Sequence, residues 1–86
     1  MPERIFVDVN TDIDRTGYLS PRSITWKDGR VFRIEEIRLI RPASTVMKNL
    51  PGVCYTVVVG GKIRHLFFER GDGRFPAVLG RWYVTV

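Results

Sequence analysis

Apolar and polar residues alternate in short runs along most of the chain, and glycine, proline, asparagine or aspartate separates one run from the next. The runs are rich in β-branched and aromatic residues, and this composition with a period of two is typical of β-strands. The pattern predicts strands over residues 4–9, 22–27, 30–34, 53–59, 62–70 and 82–86. We therefore expect an all-β fold, or a β fold with one short helical turn.

The stretch from Ile24 to Ile34 gives the strongest local prediction. Asp28-Gly29 lies between two alternating runs, which is typical of a β-hairpin. The facing pattern of the two runs favours a three-residue loop over residues 27–29, with Gly29 at positive φ. A two-residue loop would instead separate the large apolar side chains onto opposite faces of the hairpin.

The preferred hairpin register places Ile24 opposite Phe32 and Trp26 opposite Arg30. One face of the hairpin then carries Ile24, Trp26, Phe32 and Ile34. We expect this face to be buried, which makes the two aromatic rings part of the core rather than a surface platform.

The apolar pattern changes phase after Ile34. Ile34 ends a run on even-numbered positions, whereas Ile37 and Leu39 are odd-numbered. This slip predicts a bulge or a sharp bend near residues 35–36, and bends of this kind let a small sheet curl into a barrel. The alternative is a short helix over residues 34–40, with isoleucines at helical spacing.

A second hairpin is predicted from residues 53–59 and 62–70, joined by Gly60-Gly61 as a two-residue turn. In this register Tyr55 opposes Leu66. Both faces of this hairpin are substantially apolar, so we expect both to be covered, by barrel closure or by a partner chain.

The chain length of 86 residues indicates one domain over residues 1–86. Five or six short strands in such a chain predict a small, highly bent antiparallel sheet or an SH3-like half-open barrel.

The charge balance suggests an anionic partner. Fourteen Lys and Arg residues against nine Asp and Glu residues give a net charge of +5, and the excess lies after residue 14. A basic surface interleaved with aromatic rings can bind nucleic acid. The candidate contacts to nucleic acid or another anion are Arg22, Lys27, Arg30, Arg33, Lys62 and Arg64.

The sequence offers little for catalysis or metal binding. Cys54 is the single cysteine and His65 the single histidine, so the chain predicts neither an internal disulfide nor a zinc site. We expect Cys54 to be a small core residue and His65 an ordinary strand residue. The expectation is therefore no catalytic residue, no metal, no cofactor and no enzymatic activity.

The start of the chain lacks the pattern of a signal peptide, and no apolar run is long enough to cross a bilayer. We therefore expect a cytoplasmic protein with no membrane partner.

The first functional hypothesis is a non-enzymatic protein-interaction or oligomerisation module that uses the strand surface and the loops at 42–52 and 71–81. The possible partner contacts in the second loop are Phe75, Val78 and Leu79. Homodimerisation through the second hairpin or the last strand is part of this hypothesis. The alternative is a nucleic-acid-binding small β-barrel with a basic, arginine-rich surface.

Several motifs also match a known pattern along nearly the whole chain: Ile5-Phe6-Val7, Pro21, the hairpin from Ile24 to Ile34, Tyr55-Thr56-Val57 and Trp82-Tyr83-Val84. With these motifs the chain resembles a family of short uncharacterised bacterial proteins, common in Gram-positive lineages, that share a Trp-x-Asp-Gly-Arg hairpin. It departs from that pattern in a longer connection from Gly71 to Arg81. The resemblance implies a small β fold, and it gives no activity, ligand or catalytic residue.

Overall fold

A computed structural model describes residues 3–71 and 80–85. The described chain forms one 3₁₀ turn, Ala43–Thr45, and seven strands: β1 (Arg4–Ile13), β2 (Leu19–Thr25), β3 (Val31–Arg33), β4 (Glu36–Pro42), β5 (Val53–Val59), β6 (Lys62–Arg70) and β7 (Gly80–Thr85). All pairs are antiparallel in a single sheet of order β3-β2-β1-β7-β6-β5-β4. The predicted all-β class with one short helical turn is confirmed, with seven strands where five or six were expected.

The strand order requires the sheet to curl. β3 and β4 follow each other in the chain, yet they lie at opposite edges of the sheet. The Ile34 N–H donates to the carbonyl of Arg22 in β2 at 2.9 Å, and the next residue, Glu35, donates to the carbonyl of Val58 in β5 at 2.8 Å. Two neighbouring residues can bond to both sides of the sheet only where these sides approach each other. The sheet is therefore a half-open barrel.

The bend at this corner was predicted from the change of apolar phase, and the helical alternative is wrong. Residues 36–42 form strand β4, whose pairing with β5 shifts register between Ile37 and Leu39. The corner at residues 34–35 accounts for the change from even to odd positions, and the bulge then places Ile37, opposite Val57, and Leu39, opposite Thr56, on different faces of the strand. The bulge also strengthens the local twist that the curled sheet needs.

The first hairpin has the predicted register. Ile24 pairs with Phe32, and the Trp26 N–H donates to the carbonyl of Arg30 at 2.8 Å. Gly29 has a φ of 89° and donates its N–H to the carbonyl of Trp26 at 2.9 Å. Glycine suits this position because a side chain at positive φ meets its own backbone.

The second hairpin also has the predicted pairing. Tyr55 faces Leu66, and Val57 faces Arg64. The turn residues Gly60 and Gly61 have φ values of 58° and 74°, as a two-residue type I′ turn requires.

At the end away from its turn, both faces of this second hairpin are covered from within the chain, whereas Ile63 near the turn is 56% exposed. On the concave face, barrel closure buries a core of Ile24, Ile34, Tyr55, Val57, Leu66 and Trp82. On the convex face, the buried residues are Ala43, Cys54, Phe67 and Tyr83, with Val46 and Leu50 packed against them. The segment 42–52, predicted as a loop for a partner, therefore contributes apolar side chains to the packing of the convex face.

Two hydrogen bonds and one glycine fix that segment. The Tyr83 hydroxyl donates to the carbonyl of Pro51 at 2.9 Å, and the Ala43 N–H donates to the carbonyl of Gly52 at 2.9 Å. Gly52 has a φ of 88°, and a β-carbon there would collide with the backbone carbonyl of Phe68. The close approach of two backbones thus requires glycine at this position.

The prediction that Trp26 and Phe32 belong to the core is wrong. They share a face with Ile24 and Ile34, which are buried, but Trp26 is only half-buried and Phe32 is 38% exposed. The cause lies in β6, whose concave positions change from apolar to cationic toward the turn at 60–61.

The strand order also restricts self-association. The second hairpin lies between β4 and β7, and β7 lies between β1 and β6. Their backbone groups are already paired, so the predicted dimerisation cannot proceed by edge pairing through these strands. Among the described strands, the free edges belong to β3 and β4. In the same residues, no helix has the length and apolar character needed to span a membrane.

We predict that Tyr55→Phe lowers the free energy of unfolding by about 1–2 kcal/mol, because the buried Tyr55 hydroxyl donates to the Leu19 carbonyl at 3.1 Å. This bond joins β5 to the start of β2, two strands that are not neighbours in the sheet. Tyr18→Phe, at a residue 68% exposed, is the control and should change the stability by less than about 0.5 kcal/mol. Urea unfolding of the unchanged protein and both variants measures the difference. If Tyr55→Phe is as stable as the unchanged protein, the hydrogen bond from Tyr55 to Leu19 contributes nothing to stability.

Candidate nucleic-acid interface

A cavity of about 660 Å³ opens at the end of the barrel where both hairpins turn. Its apolar residues come from five strands and include Ile24, Val59, Leu66 and Val84. Ile24 and Leu66 also belong to the concave core, so the cavity continues directly from it.

Two aromatic side chains of the first hairpin form one wall of the cavity. Trp26 precedes the loop and Phe32 lies in β3, and both line the cavity. Their shared face follows from the three-residue loop, which keeps even-numbered positions of both arms on the same side. The rings that the sequence analysis placed in the core are thus available to a ligand.

Two cations of β6 form the opposite wall. Lys62 and Arg64 line the cavity, whereas Leu66 and Phe68, at the next alternate positions, pack in the core. Alternate strand residues share a face, so these four side chains lie in one row. β6 and the first hairpin are separated in the sheet by β1 and β7, and the curl brings them to face each other across the cavity.

Arg30 adds a third cation, positioned by its neighbours on the hairpin. Its Nε atom lies 2.6 Å from Oδ2 of Asp28, and its guanidinium lies 5.6 Å from the centre of the Phe32 ring. The backbone N–H of Arg30, 3.0 Å from Oδ1 of Asp28, lowers the pKa of that carboxyl, and the guanidinium lowers it further. Because Asp28 uses the Nε edge of Arg30, the terminal amino groups keep their donors for a ligand.

The electrostatic character of the cavity is positive. Among the described residues that line it there is no carboxylate. The nearby Glu35 accepts a hydrogen bond from the Gly61 N–H at 2.9 Å and lies outside the lining. Cations grouped in a concave site with apolar walls raise the local concentration of anionic ligands.

The structure brings together half of the predicted anion contacts. Arg22, outside the cavity, pairs with Asp12 at 2.7 Å, and Arg33 is exposed outside the cavity lining. Lys27 lies beside the cavity, with its ammonium group 6.0 Å from the centre of the Trp26 ring. The three residues that line the cavity itself are Arg30, Lys62 and Arg64.

The predicted partner contacts of the long connection lie outside the described residues. These are Phe75, Val78 and Leu79.

The structure shows one pair of chemical groups that the sequence analysis missed. Nδ1 of His65 lies 3.6 Å from Sγ of Cys54 and 3.4 Å from Oγ1 of Thr56. The pairing of β5 with β6 places Thr56 opposite His65, and Cys54 lies at the diagonal position. The register predicted for this hairpin already contained this diagonal contact, so the signal was present in the sequence.

His65 is among the residues that line the cavity, whereas Cys54 lies outside that lining and packs with Phe67 and Tyr83 on the convex face. Cys54 is fully buried, and burial raises the pKa of its thiol, against the smaller opposing effect of the Arg41 charge. A thiol with a raised pKa and no exposure is a poor nucleophile. For metal binding, the described residues contain no group of three histidine, cysteine, aspartate or glutamate side chains.

Comparison of the chain with protein-family models, curated proteins and solved structures found no match. The geometry of the cavity therefore carries the functional argument, and the resemblance to a bacterial family stays a prediction.

We predict that the free energy of unfolding falls as the pH rises above the ordinary thiol pKa of about 8.5. The unfolded chain releases the Cys54 proton there, while the buried thiol keeps its proton because its pKa is raised. Cys54→Ala should remove this contribution and flatten the curve. Urea unfolding at several pH values measures this contribution. The pH stays below the ordinary tyrosine pKa of about 10, because burial also raises the pKa of Tyr55 and Tyr83 and their titration would add to the pH dependence. Parallel curves for the two proteins would contradict the prediction.

Proposed function

We propose that this chain is a non-enzymatic binding module that binds nucleic acid in the cavity at the open end of the barrel. One observation carries the proposal: a concave site in which two aromatic rings face a row of cations, with no carboxylate among the described lining residues. Aromatic rings and a positive groove are the two elements by which small barrels hold nucleic acid.

The kind of charge in the cavity favours binding over catalysis. The charged side chains that line the cavity, Arg30, Lys62 and Arg64, are all arginine or lysine, the residue types that bind phosphate. Arginine can bind a phosphate through two parallel hydrogen bonds, and lysine acts as a point charge.

The position of the cations also supports the proposal. Lys62 and Arg64 occupy concave positions of a strand whose deeper residues are core. Apolar residues there would extend the core, as Leu66 and Phe68 do. The exposed cations instead leave this end of the barrel open.

We predict that Lys62→Gln combined with Arg64→Gln weakens oligonucleotide binding at low salt by about tenfold or more, because two charged contacts to phosphate are lost. The slope of log affinity against log salt should also decrease by roughly 1 to 1.5. Fluorescence anisotropy with a labelled oligonucleotide at several salt concentrations measures both quantities.

The matched control is Arg15→Gln combined with Lys48→Gln, which removes the same charge from exposed positions outside the cavity. The control should bind nearly as well as the unchanged protein. An equal loss in both double variants would show that net charge alone attracts the nucleic acid, and absence of binding in the unchanged protein would refute the proposal.

A second candidate function is protein interaction or self-association through β4. This strand has a free edge, and its consecutive residues Leu39 and Ile40 are each 49% exposed. Exposed apolar edge strands can pair with another chain.

We predict for this second candidate that the protein sediments as a dimer at high concentration and that Leu39→Lys returns it to a monomer. A lysine at an edge opposes strand pairing by its charge. Sedimentation velocity over a concentration series provides the measurement, and a monomer throughout the series would eliminate self-association.

A further inference from the structure

The cavity also indicates which form of nucleic acid it accepts, and this inference rests on the proposed function. We infer that the site binds a single strand, with unpaired bases against Trp26 and Phe32 and with phosphates at Lys62 and Arg64. The duplex form should reach only the cations.

The size and shape of the cavity support this division. Its volume of about 660 Å³ lies in the range of sites that hold small molecules, so it can admit a base but not the width of a duplex. In a duplex the flat faces of the bases are stacked inside, and only phosphates and base edges face outward. Rings inside a cavity therefore gain nothing from a duplex. A flexible single strand can turn a base toward them.

The aromatic wall has two members that act together. Ile24 pairs with Phe32, and Trp26 faces Arg30, so the two rings are diagonal neighbours on one face of the hairpin. Each ring has a cation over one face, Lys27 for Trp26 and Arg30 for Phe32. A phosphate held by Arg30 would place its own or the adjacent base beside the Phe32 ring.

The cationic wall is suited to the phosphate groups of a nucleic-acid strand. Lys62 and Arg64 are two residues apart on β6, which places them about 7 Å apart along one face of the strand. They face the rings across the cavity, so a strand entering between the walls meets aromatic rings on one side and positive charge on the other. This arrangement gives the site base contacts on the aromatic wall and phosphate contacts on the cationic wall, with Arg30 as a further phosphate contact beside Phe32.

The test compares binding of a labelled thymidine oligonucleotide of roughly ten nucleotides with binding of a duplex of the same length. The variants are Trp26→Leu and Phe32→Leu, which remove the rings and keep an apolar side chain. Each should weaken single-strand binding by about 5- to 150-fold, equivalent to about 1–3 kcal/mol for one stacked base. Neither should change the weaker binding of the duplex, which depends on the cations alone.

Trp26→Phe is the conservative variant, and far-ultraviolet circular dichroism confirms that all three variants fold. It should retain most of the affinity, because phenylalanine also stacks on bases. It should also lose most of the quenching of tryptophan fluorescence by the oligonucleotide, because the remaining Trp82 is buried in the core.

The outcomes separate this inference from the proposed function. Binding of the unchanged protein with equal affinity for single strand and duplex overturns the inference and leaves nucleic-acid binding intact. Leucine variants that bind the single strand as tightly as the unchanged protein also overturn it. Absence of any oligonucleotide binding at low salt refutes the proposed function itself.

Discussion

The corner at Ile34 and Glu35 determines the rest of the structure. Their two N–H groups bond to β2 and to β5, so one step of the chain connects regions near the two edges of a seven-stranded sheet. A flat sheet could not satisfy both bonds, and a buried N–H group without a partner costs free energy. The two hydrogen bonds at this corner therefore form only in a curled sheet. Curling creates both the enclosed core and the open end of the barrel.

The curled sheet has one continuous concave surface with two different environments. In the deeper part, Leu66, Tyr55 and Trp82 pack together. The Tyr55 hydroxyl donates a hydrogen bond to the carbonyl of Leu19 and so joins β5 to the start of β2. Toward the turns, Lys62 and Arg64 continue the same row on β6. The core thus ends where the side chains of a single strand change from apolar to charged. The cavity begins at that point without any register shift in the pairing of β5 with β6.

Both hairpin registers could be predicted because side-chain alternation and turn glycines act locally, as the pairs of Ile24 with Phe32 and Tyr55 with Leu66 show. The bend after Ile34 also left a local signal in the apolar phase. The exposure of Trp26 and Phe32 could not be predicted, because it depends on β6, which lies across the barrel and far along the chain. Alternation shows which residues share a face, whereas burial depends on what the fold places opposite that face.

The cationic residues of β6 occupy positions where apolar residues would have extended the core. A barrel of this size gains stability from every apolar side chain that it buries, at roughly 25 cal/mol for each Å² removed from water. Two cations at the concave positions of β6 forgo that gain and leave Phe32 exposed to solvent. Natural proteins depart from such local rules mainly at functional sites, where a binding surface needs charge and exposed rings more than maximal burial. This departure from maximal burial is the structural ground for the proposed ligand binding.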